Sequence, residues 1–149
     1  MKESINYIIL PELKLILECC KGQASVESII NRKKDELLDE LYYPDYNILV
    51  DFREFENFNN STYSHAISDF INFLKQLEIK SRVAFLTSEL HQVVLSLLLE
   101  KLSKDVLTSK YETVSTMEAA IRFLGYSIDS YDIIRKRIIE LNSMTTFNK

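Results

Sequence analysis

The stretch Asn47-Ile48-Leu49-Val50-Asp51-Phe52-Arg53, with the polar Glu54-to-Asn60 segment behind it, decides how the chain is read. Ile48, Leu49 and Val50 form an unbroken apolar run, preceded by Pro44-Asp45 and followed by charges. A run this short fits a strand buried on both faces, as in parallel sheets covered by helices. Asp51 and Arg53 alternate with Val50 and Phe52, so they share one face as the strand leaves the core. Open α/β sheets meet ligands and partners at the carboxyl ends of their strands. The exit of this strand is therefore the first place to expect a site: Asp51, Arg53 and Glu54, then a loop running to Asn60, Ser61 and Thr62.

Towards the N-terminus, Ser4 to Leu10 and Leu13 to Lys21 read as two strands. The Pro11-Glu12 turn between them is short enough only for an antiparallel hairpin. Leu13, Leu15, Leu17 and Cys19 share one face of the second strand; Lys14, Ile16, Glu18 and Cys20 share a half-polar other face. Gly22 is expected to end it. Ser25 caps a helix running to about Leu41, with Val26, Ile29, Ile30, Leu37, Leu38 and Leu41 as its buried stripe. Arg32-Lys33-Lys34-Asp35-Glu36 reads as its solvated face. Tyr42, Tyr43 and Tyr46 are expected to pack the following turn onto the domain.

Towards the C-terminus, Asn59-Asn60-Ser61 caps a second helix ending near Glu78, spaced by Tyr63, Ala66, Ile67, Phe70, Leu74 and Leu77. Lys80 to Thr87 is the next strand, and Ser88 and Glu89 suit the start of a third helix. Leu90, Val93, Val94, Leu95, Leu97, Leu98, Leu99 and Leu102 give that helix more than one apolar stripe. Such a helix is buried on two sides or faces a partner or ligand, so Val94, Leu95, Leu98 and Leu99 are a candidate apolar surface. Thr108 to Val114 reads as an edge strand. Ser115-Thr116-Met117-Glu118 opens a fourth helix as a capping box and Gly125 stops it. Asp129 to about Asn142 forms a last amphipathic helix with Tyr131, Ile134, Ile138 and Leu141 on one face. The expected fold class is α/β: a single mixed, mostly parallel sheet with an N-terminal antiparallel hairpin and covering helices, in the order β-β-α-β-α-β-α-β-α plus a C-terminal helix. Residues 1–126 make the α/β domain, and 127–149 the added helix and tail.

Composition narrows the function classes. The 149 residues carry a net charge of −4, which argues against nucleic acid and gives no general attraction to anionic membranes. No stretch is apolar for long enough to span a bilayer, and Met1-Lys2-Glu3-Ser4 lacks the layout of a signal peptide. A cytoplasmic location is expected, consistent with two cysteines, Cys19 and Cys20, too close along a strand to bond each other. Only two glycines are present, so neither a Walker loop nor a dinucleotide fingerprint exists. The two histidines, His65 and His91, have no metal-ligand spacing. No metal, cofactor or catalytic motif is expected.

Several phrases resemble the bacterial STAS-like proteins, the fold of anti-sigma-factor antagonists and of the cytoplasmic domain of sulphate transporters. They are Tyr46-Asn47 leading into Val50-Asp51-Phe52-Arg53, Ala84-Phe85-Leu86 before a helix, Leu102-Ser103-Lys104, and Ser115-Thr116 before Glu118-Ala119-Ala120. Within that class the chain is similar to a stand-alone bacterial group whose core resembles CRAL-TRIO lipid carriers. The likeness covers roughly the first 125 residues and lies mostly in strand order and apolar spacing. It implies a phosphorylatable serine at the helix after the central strand, where this chain has Asn59-Asn60-Ser61-Thr62. The antagonists' aspartate and glycine are missing there, and Ser61 as a plain helix cap is the competing reading.

Three functions follow. The first is a non-catalytic interaction or regulatory domain, using the loop after the central strand and the helix behind it. The second binds a small apolar molecule or lipid beside the third helix. The third is a hydrolase-type enzyme on the Asp51–Arg53 cluster, ranked last because those two side chains can simply pair. The expected partner is a protein or a small apolar ligand, with a homodimer through the C-terminal helix set against packing of that helix in cis.

Overall fold

The computed structural model describes residues 3–58, 63–77, 80–104 and 109–144. Its strands are β1 (Ser4–Leu10), β2 (Leu15–Ala24), β3 (Asn47–Asp51), β4 (Phe55–Phe58), β5 (Arg82–Leu86) and β6 (Lys110–Val114). Its helices are α1 (Val26–Leu37), α2 (Tyr63–Leu74), α3 (Leu90–Ser103), α4 (Met117–Leu124) and α5 (Tyr131–Ser143). Among the described residues the strands form one mixed sheet in the order β1-β2-β3-β5-β6, with β4 paired to β2. Only β1 runs antiparallel to its neighbour.

Strand period two sorts the sheet into two faces. Leu15, Leu17, Cys19, Leu49, Ala84 and Leu86 pack against α4 and α5, with Ile134, Ile138 and Leu141 of α5 fully buried. Ile16, Cys20, Ile48, Phe52, Val83 and Phe85 pack on the other side with Ile71 and Leu74 of α2 and Leu95 and Leu99 of α3. Both faces of the Ile48–Val50 run are thus covered, which is why it carries no polar alternation. Ile134, Ile138 and Leu141 of α5 pack in cis against the sheet, while Ile133 and Ile139 on the same helix are exposed. β6 lies at the edge, as its Lys110 and Glu112 suggest.

Local signals hold where the cap is in the sequence. Ser25 Oγ accepts from Ser28 N at 3.0 Å and starts α1; Thr116 Oγ1 accepts from Ala119 N at 3.1 Å and starts α4, one residue later than the Ser115–Glu118 capping box that was expected. Gly125 ends α4 in the left-handed region, φ 85°. Three expectations are corrected. Gly22 does not end β2. It takes φ 70°, and the strand runs on through a register shift to pair Gly22–Ala24 with Phe55–Phe58. The segment after Glu54 is accordingly strand β4, not loop: Gly22 N donates to Glu54 O at 2.9 Å and Phe55 fills the core. Finally, α1 stops at Leu37, leaving Leu38 and Leu41 exposed. Asp39 competes with the helix there, accepting Leu41 N at 3.0 Å and the Tyr7 hydroxyl at 2.9 Å.

Candidate functional site

Asp51, the last residue of β3, faces α5 and is buried. Its Oδ1 accepts from Arg53 N at 3.0 Å and Arg53 Nε at 2.9 Å; its Oδ2 accepts from Arg53 Nη2 at 2.8 Å and Asn142 Nδ2 at 2.9 Å. Burial alone would raise its pKa, but the bonds from Arg53 and Asn142 outweigh it and hold the carboxyl below its ordinary value. Asn142 also accepts the Cys19 thiol proton at 2.7 Å, and its carbonyl takes the Lys21 ammonium, which pairs with Glu54 at 3.2 Å. The structure therefore gathers Asp51, Arg53 and Glu54 as their spacing suggests, then closes α5 over Asp51. With four donors on two oxygens, Asp51 is an anchor for the turn and for α5; its lone pairs do not face solvent as a general base requires.

The backbone of the same turn bolts down the start of α3. Arg53 O accepts from Gln92 Nε2 at 2.8 Å and from Ser88 Oγ at 3.3 Å. Phe55 O meets His91 Nε2 at 2.9 Å, which puts the proton on that nitrogen, and Gln92 Nε2 at 3.2 Å. Gln92 Oε1 in turn accepts from Ser88 N at 2.8 Å and Glu89 N at 3.0 Å, and Glu89 completes a capping box. His91 thus serves the turn's backbone, away from Asp51. His65 lies on α2 beside Asp69, at 3.8 Å.

Around α3 the apolar residues divide. Leu95 and Leu99 lie in the core near an aromatic row in which Phe52 and Phe85 stack at 5.4 Å and Phe85 and Tyr111 at 5.7 Å. Val94, Leu90 and Leu97 point outward, 49%, 78% and 50% exposed, while Leu98 is half-buried. A surface groove lined by Glu89, Leu90, His91, Val94, Leu95 and Leu98 runs beside them. Of the four residues expected to form an apolar surface, Val94 and Leu98 border this groove openly, Leu95 lies at its floor, and Leu99 belongs to the core. Asn60, Ser61 and Thr62 lie outside the described residues.

The strongest polar feature was missed from sequence. Lys33 and Glu36, assigned to a solvated face, are 7% and 1% exposed. They lie one helical turn apart on α1, above Glu18 in the middle of β2. Lys33 Nζ donates to Glu36 Oε2 at 2.6 Å and to Glu18 Oε1 and Oε2 at 2.9 and 3.3 Å. Burial, then the neighbouring Glu18 carboxylate, pushes the Glu36 carboxyl up to about 8 in spite of Lys33. Lys33 is itself pushed above its ordinary value, because the two carboxylates outweigh its burial. One signal was available: Glu18 sits on a covered strand face, and a buried carboxylate demands a cation. Voids of about 80 Å³ and 40 Å³ flank this cluster, and both are bounded by Glu18, Lys33, Val50, Phe70 and Phe85. Pockets for small organic ligands run to about 300–1,000 Å³, and these two spaces are small beside them.

No protein-family model matches the chain, and no curated protein matches it. Among solved structures it is similar to an uncharacterised protein of the DUF3478 family, with a SpoIIAA-like fold, from Shewanella loihica PV-4. The TM-score is 0.58 at 14% identity, over 83% of this chain and 96% of that one. At this identity the likeness speaks for the fold: the chain has the SpoIIAA-like, STAS-like architecture.

Proposed function

We propose that the chain is a non-catalytic interaction domain that receives a protein partner on the outer face of α3 and the adjoining β3–β4 turn. One observation carries the reading. α3 carries apolar residues well beyond one stripe: Leu95 and Leu99 are covered together with the polar Gln92, Ser96 and Ser103, while Leu90, Val94 and Leu97 stand in solvent. A helix whose apolar residues spread beyond its buried stripe suits a place between two layers, and here one layer is the sheet. The bonds from Ser88, His91 and Gln92 to the turn hold this face rigid, which lowers the entropy cost of docking. The groove beside it, about 550 Å³, is where the second expectation set a small apolar ligand. It is open at the surface, whereas pockets for such ligands bury most of the molecule, which favours a protein surface as its cover. Asp51, fully bonded to Arg53 and Asn142, supports a structural role for the cluster that an enzyme would have used.

The test is site-specific photo-crosslinking in host cells, with a photo-reactive residue in place of Val94 and a control in place of Lys136 on α5. A discrete adduct at position 94, absent at 136 and lost when Leu97→Glu is added, is expected. The same adducts at both positions, or none at position 94, would overturn the assignment.

A further inference from the structure

Among the described residues of α3, Leu90, Val94, Leu97 and Lys101 form an exposed row spaced four, three and four apart, with His91 exposed beside it. That is the seam of a helix that pairs with another helix. Its ends carry opposite charge. Glu89 is exposed at the amino end, and Lys101 and Lys104 are exposed at the carboxyl end. Resting on the interaction reading above, we infer that the partner of this face is a second copy of the same chain, its α3 lying antiparallel across a two-fold axis.

The charges select both the partner and the direction. In an antiparallel pair centred between Val94 and Leu97, each Val94 faces the other copy's Leu97. Each Lys101 lies over the other copy's Leu90, and its ammonium reaches that copy's Glu89. His91 and Glu100, which flank the seam, come opposite each other in the same register. The helix dipoles also oppose favourably in this arrangement. A parallel pair would instead set Glu89 against Glu89 and Lys101 against Lys101. A two-fold contact uses the same patch on both copies, and a seam with acid at one end and base at the other is complementary to itself only when reversed. The three apolar side chains, all exposed, become the dry centre of the contact, with the charges at its rim.

Sedimentation equilibrium of the full chain tests this. The mass is expected to rise with concentration from 17.4 kDa towards twice that, and Leu97→Glu, at an exposed position, is expected to hold it at one chain. Register is tested by disulfide formation. Val94→Cys chains mixed with Leu97→Cys chains are expected to cross-link to each other several-fold faster than either does to itself, since the native Cys19 and Cys20 are buried. Equal rates would remove the antiparallel register. A wild-type mass that stays at one chain up to about 1 mM, a concentration that fills even weak specific sites, would remove the second copy as partner. If position 94 still gave a discrete adduct of another mass in cells, the interaction reading would stand without it; if it gave none, both would fall.

Discussion

At the scale of single residues, two buried carboxylates pull stability in opposite directions with pH. Glu36 holds its proton in the folded chain up to about pH 8, whereas an unfolded glutamate ionises near about 4.3. Folding therefore takes up a proton between those values. The contribution of Glu36 is full below the unfolded pKa and is lost as pH rises through about 8. Asp51 has the reverse sign: its folded pKa is lowered, so its contribution is present above the ordinary aspartate value and is lost as pH falls through the folded one. Stability should then peak in mild acid and decline towards pH 8. The expected outcome is a urea-unfolding free energy lower at pH 8 than at pH 5 by roughly 2–4 kcal/mol, since each tenfold difference in proton affinity between the folded and unfolded chain is worth about 1.4 kcal/mol. Glu36→Gln, which keeps the side chain's shape and an acceptor for Lys33, should remove most of that slope. A wild-type curve flat from pH 5 to 8 would show that Glu36 ionises normally.

At the scale of elements, α1 is seated by charge as much as by grease. Val26, Ile29 and Ile30 are only half-buried, while Lys33 and Glu36 are sealed beneath the helix. Removing one member of a buried ionic group leaves the others uncompensated, at about 3–5 kcal/mol, whereas replacing the whole group with apolar residues is often neutral. Lys33→Met alone is thus expected to cost several kcal/mol in denaturant unfolding, and Glu18→Leu/Lys33→Met/Glu36→Leu to recover most of it. A triple variant no more stable than the single one would show that the cluster is needed for the fold itself. The same helix shows what the sequence yields and what it withholds. Its start is legible because Ser25 caps it through a bond three residues away. Its buried face is not, because Glu18 is what turns Lys33 inward, and Glu18 lies on another element. The exit turn behaves alike: Asp51 and Arg53 pair across two residues and can be anticipated, but Asn142, which covers them, is 91 residues away. β4 was hidden because its partner is the tail of β2 beyond a glycine that reads locally as a stop. The exposed half of α3 was foreshadowed by its excess of leucines, though which of them face out depends on where the sheet lies.

At the scale of the molecule, one sheet separates two helical layers, and the neighbouring cysteines report on them separately. Cys19 points to the α4–α5 layer and bonds Asn142; Cys20 points to the layer of α1, α2 and α3. Burial, then the Asp51 carboxylate, pushes the Cys19 thiol up to about 12, and burial raises Cys20 well above its ordinary value. The thiolate is the reactive form, so each cysteine reacts with a disulfide reagent through openings that expose it to water. Asn142 ties α5 to both Cys19 and Asp51, and Asn142→Ala loses those bonds at about 1–2 kcal/mol. If α5 opens as a unit by itself, that variant should speed labelling of Cys19, measured with Cys20→Ser, by roughly 5–30-fold, since about 1.4 kcal/mol is a factor of ten. Labelling of Cys20, measured with Cys19→Ser, should then change by less than about twofold, because its layer does not depend on α5 for cover. Equal acceleration of the two would mean that the layers open only together. The sheet would then be one cooperative block, and α5, despite coming last in the chain, would be as much a part of it as β3.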